Sequence, residues 1–162
     1  MTILVLLPLK EKDTNVMKDF YTVTPITAKD NREYTFGVSL NKSHRIYQGH
    51  FPQQPVVPGV CLMLMTREIV EKVVGRNLMY KEVSNIKFMS LVDPAINNEL
   101  TIKLTIDCIE TGGYNIKASI EFADKIFFTI KGSLSAIITC QTTGGNSSGA
   151  DSSVVDNLEP EG

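Results

Sequence analysis

Apolar and polar residues alternate along much of this chain, and a period of two predicts β-strands with one buried face. The predicted strands lie at 32–40, 83–91, 100–106, 114–122 and 126–136. Turn residues at 111–113 and 123–124 separate the last three and predict hairpins. Antiparallel hairpins in sequence order would form a sheet with one face in water.

One segment, 60–74, has a helical pattern instead. Its residues 61–65 are apolar on every side, and apolar residues then recur at helical spacing up to Val74. Gly75 is placed to cap the helix C-terminus. A helix that is apolar all round in its first turns is buried. The sequence therefore predicts an α+β fold, a curved antiparallel sheet wrapped around a central helix.

Composition is compatible with one domain, because the chain has 162 residues and 43% of them are hydrophobic. We expect an N-terminal extension over 1–16, a folded domain over 17–138 and a disordered, acidic tail rich in Ser and Gly over 139–162. No Lys or Arg follows Lys131, and the net charge is only −2. Without a strong basic field, we expect no nucleic acid partner.

The opening residues are apolar but lack a basic leader and a small-residue cleavage site, so we expect no signal peptide. No run approaches about 20 apolar residues, so we expect no membrane span and a cytoplasmic protein. Cys61, Cys108 and Cys140 are irregularly spaced and form no zinc pattern. We expect buried free thiols and no metal site.

The stretch from Gly49 to Gly59, Gly-His-Phe-Pro-Gln-Gln-Pro-Val-Val-Pro-Gly, is the chemically most distinctive part of the chain. Three prolines stiffen the path between His50 and the predicted helix. An imidazole moves protons near neutral pH, and a helix N-terminus offers free N–H groups to a carbonyl. The pattern predicts half of an active site for chemistry next to a carbonyl. A structural histidine bonded to a loop carbonyl is the alternative for His50, and His44 is expected to be a loop or surface residue.

With the order of helix and strands, this motif and the Val60 that follows it resemble the hotdog-fold 3-hydroxyacyl acyl-carrier-protein dehydratases of fatty acid synthesis. The likeness covers about residues 17–138, and the runs 86–88 and 92–94 also resemble that family's strand after the helix. The resemblance implies that His50 moves the C2 proton of a 3-hydroxyacyl thioester. It also implies that the backbone N–H of Gly59, with Val60 adjacent, polarises the thioester carbonyl.

One position departs from that family. Its carboxylate stands fourteen residues after the histidine, where this chain has Leu64. Glu68 lies on the same helix face, one turn and about 6 Å further along the axis. We predict that Glu68 replaces the missing acid; the alternative is a structural or dimer-contact acid paired with Arg67, Lys72 or a base of a partner chain.

Other residues near the motif have weaker assignments. Phe51, Leu64 and Met63 are candidates for an acyl pocket, with ordinary core packing as the alternative. Cys61 lies in the first helical turn, where thiolates are favoured, but its apolar neighbours argue against a nucleophile. A modest basic patch at the entrance would suit an acidic acyl carrier protein, and the candidates for it are Lys42, Arg45, Arg76 and Lys87.

The resemblance implies a lyase that converts (3R)-hydroxyacyl thioesters on acyl carrier protein to trans-2-enoyl thioesters, in fatty acid or polyene and lipid biosynthesis. It implies no cofactor beyond the phosphopantetheine arm of the carrier. An acyl thioesterase and a non-catalytic, carrier-binding partner subunit of an active dehydratase remain alternatives. A homodimer or a higher oligomer of dimers is expected, in which Glu68 serves the partner's His50.

Overall fold

The computed structural model describes residues 17–49 and 53–137. The expected N-terminal extension over 1–16 and the tail over 139–162 lie outside the described residues, as do His50 and Phe51 of the motif. The elements are β1 (Tyr21–Lys29), β2 (Glu33–Leu40), the 3-10 turn η1 (Arg45–Tyr47), α1 (Gly59–Val74), β3 (Leu78–Phe88), β4 (Glu99–Cys108), β5 (Gly113–Phe122) and β6 (Lys125–Ala136).

The described strands form one six-stranded antiparallel sheet in the order β1-β2-β4-β5-β6-β3. The prediction of hairpins in sequence order is confirmed for β4-β5-β6, and the unpredicted β1 adds a further hairpin with β2. The prediction is wrong for β3, which pairs with β6 from Leu78↔Ala136 to Phe88↔Phe128, while β4 pairs with β2. Local alternation of apolar and polar residues identifies a strand, but it does not determine which strand pairs with it. Strand β3 therefore lies at one edge of the sheet, and it covers 78–88 where 83–91 was predicted.

Strand β1 was missed by the sequence prediction. Its apolar residues Tyr21 and Val23 alternate with threonines, but Pro25 and a register shift between Pro25 and Thr27 break the pattern. Proline has no N–H to give to a ladder, so it is tolerated mainly in edge strands and at bulges. The position of β1 at the outer edge of the sheet explains how it accommodates Pro25.

Helix α1 packs one face into the sheet and leaves another face open. It ends as predicted at Gly75, which has the left-handed conformation with φ of 73°. The buried residues of α1 are Cys61, Leu62, Met65, Thr66, Ile69, Val70 and Glu71. Val60 is nevertheless 60% exposed, and Met63 and Leu64 are only part-buried. The prediction of a helix buried all round in its first turns is therefore wrong for a single chain, because one sheet covers only one side.

The cysteine prediction is confirmed for Cys61, which is buried, and wrong for Cys108, which is exposed at the end of β4. Cys140 lies outside the described residues. Within 17–49 and 53–137, no helix combines the length and apolar character needed to cross a membrane.

Candidate active site

His44 anchors the segment that leads into the motif. Its Nδ1 accepts a hydrogen bond from the Ile46 N–H at 3.1 Å, so the Nε2–H is the group that donates to the Lys18 carbonyl at 2.8 Å. The ring packs edge-on against Phe20, with 5.3 Å between ring centroids. His44 is a loop residue as expected, but it is buried and not at the surface. Both ring nitrogens satisfy backbone groups, which is what permits its burial.

Tyr47 packs next to the first turn of α1. It is 4% exposed, and its hydroxyl has no hydrogen-bond partner in the part of the chain that the structure describes. Burial is the main cause that raises the pKa of Tyr47 well above its usual range, and the nearby Cys61 thiol adds to it. Tyr47 stands three residues before His50 and belongs to the same buried core cluster as Cys61 and Leu62 of the first helical turn. The placement of His50 lies outside the described residues, and its role stays a prediction.

The other end of the motif is held by a strand-like contact. The Val57 N–H donates to the Val92 carbonyl at 2.9 Å, and Pro58 then precedes the helix in an extended conformation, with ψ of 141°. Pro58 provides no side-chain cap. Among the described residues, the N–H groups of Gly59 and Val60 have no hydrogen-bond partner. The helix therefore begins with two free backbone donors, which lie at the positive end of the helix dipole.

Phe88 covers the start of the helix on one side. A Cβ on Gly59 would lie 2.7 Å from Cε1 of the Phe88 ring, so only glycine allows this approach. The ring is 54% exposed and contacts Phe128, with 5.1 Å between centroids. Phe88 thus forms an apolar wall beside the Gly59 amide. The sequence placed Phe88 in a strand, but only the folded chain brings it to Gly59.

The carboxylate candidate lies well away from these amides. Gly59 and Glu68 are nine residues apart, which is about 13 Å along a helix axis. Leu64 lies between them, part-buried against the core. Met63 packs beside it, and its carbonyl accepts a hydrogen bond from the Tyr80 hydroxyl at 2.8 Å. One chain therefore does not bring Glu68 to the Gly59 amide.

Glu68 has a hydrogen-bond donor on β1. The Tyr21 hydroxyl donates to Glu68 Oε2 at 2.5 Å, and Lys72 Nζ lies 5.5 Å from the centroid of the Tyr21 ring. Burial, and then the charge of Glu68, raise the pKa of Tyr21 far above its usual range, so the phenol keeps its proton and donates. Sequence reasoning missed Tyr21, because nothing in the local pattern pairs residues 47 positions apart.

Cys61 is not a thiolate nucleophile at neutral pH. It is 1% exposed, and burial raises the pKa of its thiol to about 11, with the charge of Glu68 as the smaller cause. This finding agrees with the sequence argument against it. Within the described ranges, no group of three or more His, Cys, Asp or Glu side chains is arranged to hold a metal ion.

The four candidates for a basic entrance are all exposed. Lys42 and Arg45 are in the loop before α1, and Lys87 adjoins Phe88 at the end of β3. Arg76 follows the other end of α1, about 25 Å from Gly59 along the axis. Arg76 therefore does not belong to an entrance at the helix N-terminus of the same chain.

Comparison with known protein sequences shows that this chain is similar to dehydratases. The sequence model of the ApeI-like family, described as ApeI dehydratase, matches residues 26–125, more than half of the chain. The 3-hydroxyacyl acyl-carrier-protein dehydratase FabZ of Thermoanaerobacter sp. strain X514 is 24% identical over 98 residues, which cover 56% of this chain and 68% of that protein. The FabZ of Caldanaerobacter subterraneus subsp. tengcongensis matches with the same identity and coverage.

Solved structures share the hotdog fold of this chain. The dehydratase heterocomplex ApeI:P from Xenorhabdus doucetiae is 19% identical, with 70% of this chain and 98% of that chain covered and a TM-score of 0.51. An HP0420 homologue from Helicobacter felis is 11% identical, with coverage of 80% and 98% and a TM-score of 0.55. A putative thioesterase from Ralstonia eutropha JMP134, related to phenylacetic acid degradation, is 10% identical, with coverage of 76% and 91% and a TM-score of 0.53. At such identities the structural likeness establishes the fold alone.

Proposed function

The chain belongs to the ApeI-like dehydratase family, and from that membership we propose that it dehydrates (3R)-hydroxyacyl thioesters on acyl carrier protein to trans-2-enoyl thioesters. The pathway would be fatty acid biosynthesis or the synthesis of a polyene or other lipid. The observation that carries the proposal is the helix N-terminus at Gly59 and Val60, whose N–H groups have no partner among the described residues and which follows the Gly49–Pro58 motif in the sequence.

The open amides suit the charge that develops in this reaction. When a base removes the C2 proton, negative charge moves onto the thioester carbonyl oxygen. Preorganised N–H donors stabilise that oxygen, and losing one donor typically costs about 3 kcal/mol of barrier. The Gly59 N–H is the proposed donor, with Val60 beside it. The ring of Phe88 would shield this position from water and strengthen the interaction.

The proton and bond changes balance without a cofactor. A ring nitrogen of His50 takes the C2 proton, the C2–C3 double bond forms, and the C3–O bond breaks. The leaving hydroxide takes one proton, either from a protonated Glu68 or from the His50 that has just received the C2 proton, and departs as water; in the first case His50 passes its proton back to Glu68 through solvent. In this proposal Glu68 holds or protonates the leaving hydroxyl, and the phosphopantetheine arm of the carrier delivers the substrate.

We propose that two copies of the chain assemble the site. The carbonyl and the 3-hydroxyl of the substrate are only a few bonds apart, whereas Gly59 and Glu68 of one chain are about 13 Å apart along the helix. Glu68 would therefore work with the partner's His50.

The open edge of β3 suits such a homodimer. Large apolar side chains are exposed along β3, on the segment after it and on the open side of the helix: Met79, Phe88, Met89, Leu91 and Val60. The other sheet edge, β1, is interrupted by Pro25 and a bulge, which discourage further strand pairing.

The decisive experiment incubates the purified protein with carrier-bound 3-hydroxyacyl chains of several lengths and follows enoyl absorbance. His50→Ala is expected to abolish the product. Glu68→Gln is expected to do the same, while Leu64→Ala keeps much of the rate. Full activity of Glu68→Gln would exclude Glu68 as the substitute acid. Sedimentation of the wild-type protein tests the dimer, and a fully active monomer would exclude the shared site.

A second candidate is a carrier-binding partner subunit of an active dehydratase. The observation that favours it is Leu64, which cannot donate a proton where the resembled family has a carboxylate. Inactivity of the purified chain, with activity restored by a partner dehydratase chain, would support it. Release of free thiol from saturated acyl thioesters, without enoyl product, would instead indicate a thioesterase.

A further inference from the structure

Glu68, Leu64 and Cys61 lie on one face of α1, at the spacing of successive helical turns. The negative charge of Glu68 contributes to the raised pKa of Cys61, seven residues earlier on the same face. Long helical side chains lean toward the helix N-terminus, over the preceding turn. This tendency directs the Glu68 carboxylate toward the turn that carries Leu64, where the resembled family has its acid.

Tyr21 fixes the carboxylate in that place. The hydroxyl-to-Oε2 distance of 2.5 Å is that of a strong, charge-assisted hydrogen bond. The Tyr21 ring is itself held, because it packs edge-on against Phe20 at 6.2 Å and lies under Lys72 Nζ. A flexible side chain on the open face of the helix is thus restrained by a strand on the sheet.

We propose that Tyr21 is a positioning residue for Glu68: its hydroxyl orients the relocated carboxylate toward the substrate's 3-hydroxyl. This inference rests on the proposed dehydratase function. It adds a residue on β1 to the proposed site. With Tyr21 to orient it, a carboxylate at position 68 could take the part of the one that the resembled family has at position 64. The Glu68 carboxylate remains the catalytic group, and Tyr21 acts only through it.

The test compares Tyr21→Phe, Glu68→Asp and the double variant in the dehydration assay. Tyr21→Phe removes one hydroxyl and keeps the ring, its contact with Phe20 and its position under Lys72. Glu68→Asp keeps the carboxylate but shortens the side chain, so it cannot reach Tyr21 in the same way. Tyr21→Phe and Glu68→Asp are each expected to lower kcat by about 10- to 100-fold with little change in KM. Misplacement of a catalytic group by about 1 Å has effects of this size.

The double variant separates positioning from a structural role. If Tyr21 acts through Glu68, the double variant is expected to be no slower than the slower single variant, within about twofold. If the fold-losses in kcat of the two single variants instead multiply in the double variant, Tyr21 acts independently of Glu68, and the inference is overturned. Tyr80→Phe is the matched control, since it removes another hydroxyl that tethers α1 to the sheet; its kcat is expected to stay within about twofold of the wild type.

The remaining outcomes distinguish this inference from the proposed function. Wild-type kcat in Tyr21→Phe, with an inactive Glu68→Gln, would overturn the positioning role and leave the dehydratase intact. Full activity of Glu68→Gln would remove both Glu68 and Tyr21 from the mechanism, again without excluding a dehydratase. A wild-type protein that forms no enoyl product would overturn the proposed function and this inference with it.

Discussion

The ring of Phe88 occupies the space that a side chain on Gly59 would need. A Cβ at position 59 would lie 2.7 Å from Cε1 and 2.9 Å from Cζ of that ring. The clashing atoms belong to the far edge of a half-exposed side chain, so the ring is able to move while the helix backbone stays. A residue other than glycine at 59 would therefore displace the apolar wall from the open amides.

Gly59→Ala tests this contact through a double-mutant cycle with Phe88→Ala. In the Phe88→Ala background, Gly59→Ala is expected to stabilise the fold by roughly 0.5 kcal/mol, because alanine favours a helix more than glycine does. In the wild-type background the clash is expected to make the same change about 1 kcal/mol less favourable. Urea unfolding of the four proteins measures both values, and equal effects in the two backgrounds would contradict the contact.

Tyr47→Phe is expected to raise the free energy of unfolding by about 1 kcal/mol. The Tyr47 hydroxyl is buried without a partner among the described residues, so removing it relieves a desolvation penalty. Tyr80→Phe is the opposite control, because its hydroxyl donates to the Met63 carbonyl, and it is expected to lower stability by about 1 kcal/mol. Chemical denaturation measures both, and a destabilised Tyr47→Phe would show that its hydroxyl has a partner.

Stability is expected to fall at alkaline pH because of buried tyrosines. Burial is the main cause that raises the pKa of Tyr21, Tyr47 and Tyr80 above the ordinary value of 10.0. The folded state then holds these protons more tightly than the unfolded state does. Their contribution is complete below about pH 10 and is lost as the pH rises above it.

Urea midpoints measured from about pH 8 to pH 12, together with tyrosinate absorbance, check this dependence. The three phenols are expected to ionise with unfolding, and Tyr47→Phe is expected to make the alkaline loss of stability shallower. Ionisation of every tyrosine near pH 10 in a protein that remains folded would refute the prediction.

The cysteines are expected to differ in reactivity. Cys61 is buried and has a pKa raised to about 11, whereas Cys108 is exposed. With an alkylating reagent at about pH 8, Cys108 is expected to react at least about 100-fold faster than Cys61. Peptide mass mapping resolves the two sites, and labelling in urea, where both should react, is the control. Equal rates in the folded protein would contradict the burial of Cys61.

His44→Ala is expected to lower the free energy of unfolding by about 2 kcal/mol. The change leaves the Lys18 carbonyl and the Ile46 N–H without their side-chain partner. Lys42→Ala, at an exposed position in the same loop, is the control, with an expected change within about 0.5 kcal/mol. Thermal or urea unfolding distinguishes them. A loss no larger than that of the control would rule out His44 as the anchor of the loop.

Local patterns predicted those elements whose periodicity is uninterrupted. The alternation around residues 100–106 and 114–122 predicted β4 and β5, and the stop at Gly75 is where α1 ends. The motif from Gly49 to Gly59 indicated an open helix start, because a proline before a helix brings no side-chain cap. Strand β1 was missed where Pro25 breaks the alternation.

The sequence by itself determined strands β2, β4, β5 and β6 and the position of helix α1, because periodicity is a local property of the chain. Only the tertiary structure decided that β3 pairs with β6, that Phe88 lies on Gly59 and that Tyr21 donates to Glu68. These contacts join residues that are distant in sequence. They form because the folding sheet closes around the helix, and no spacing along the chain specifies which residues then meet.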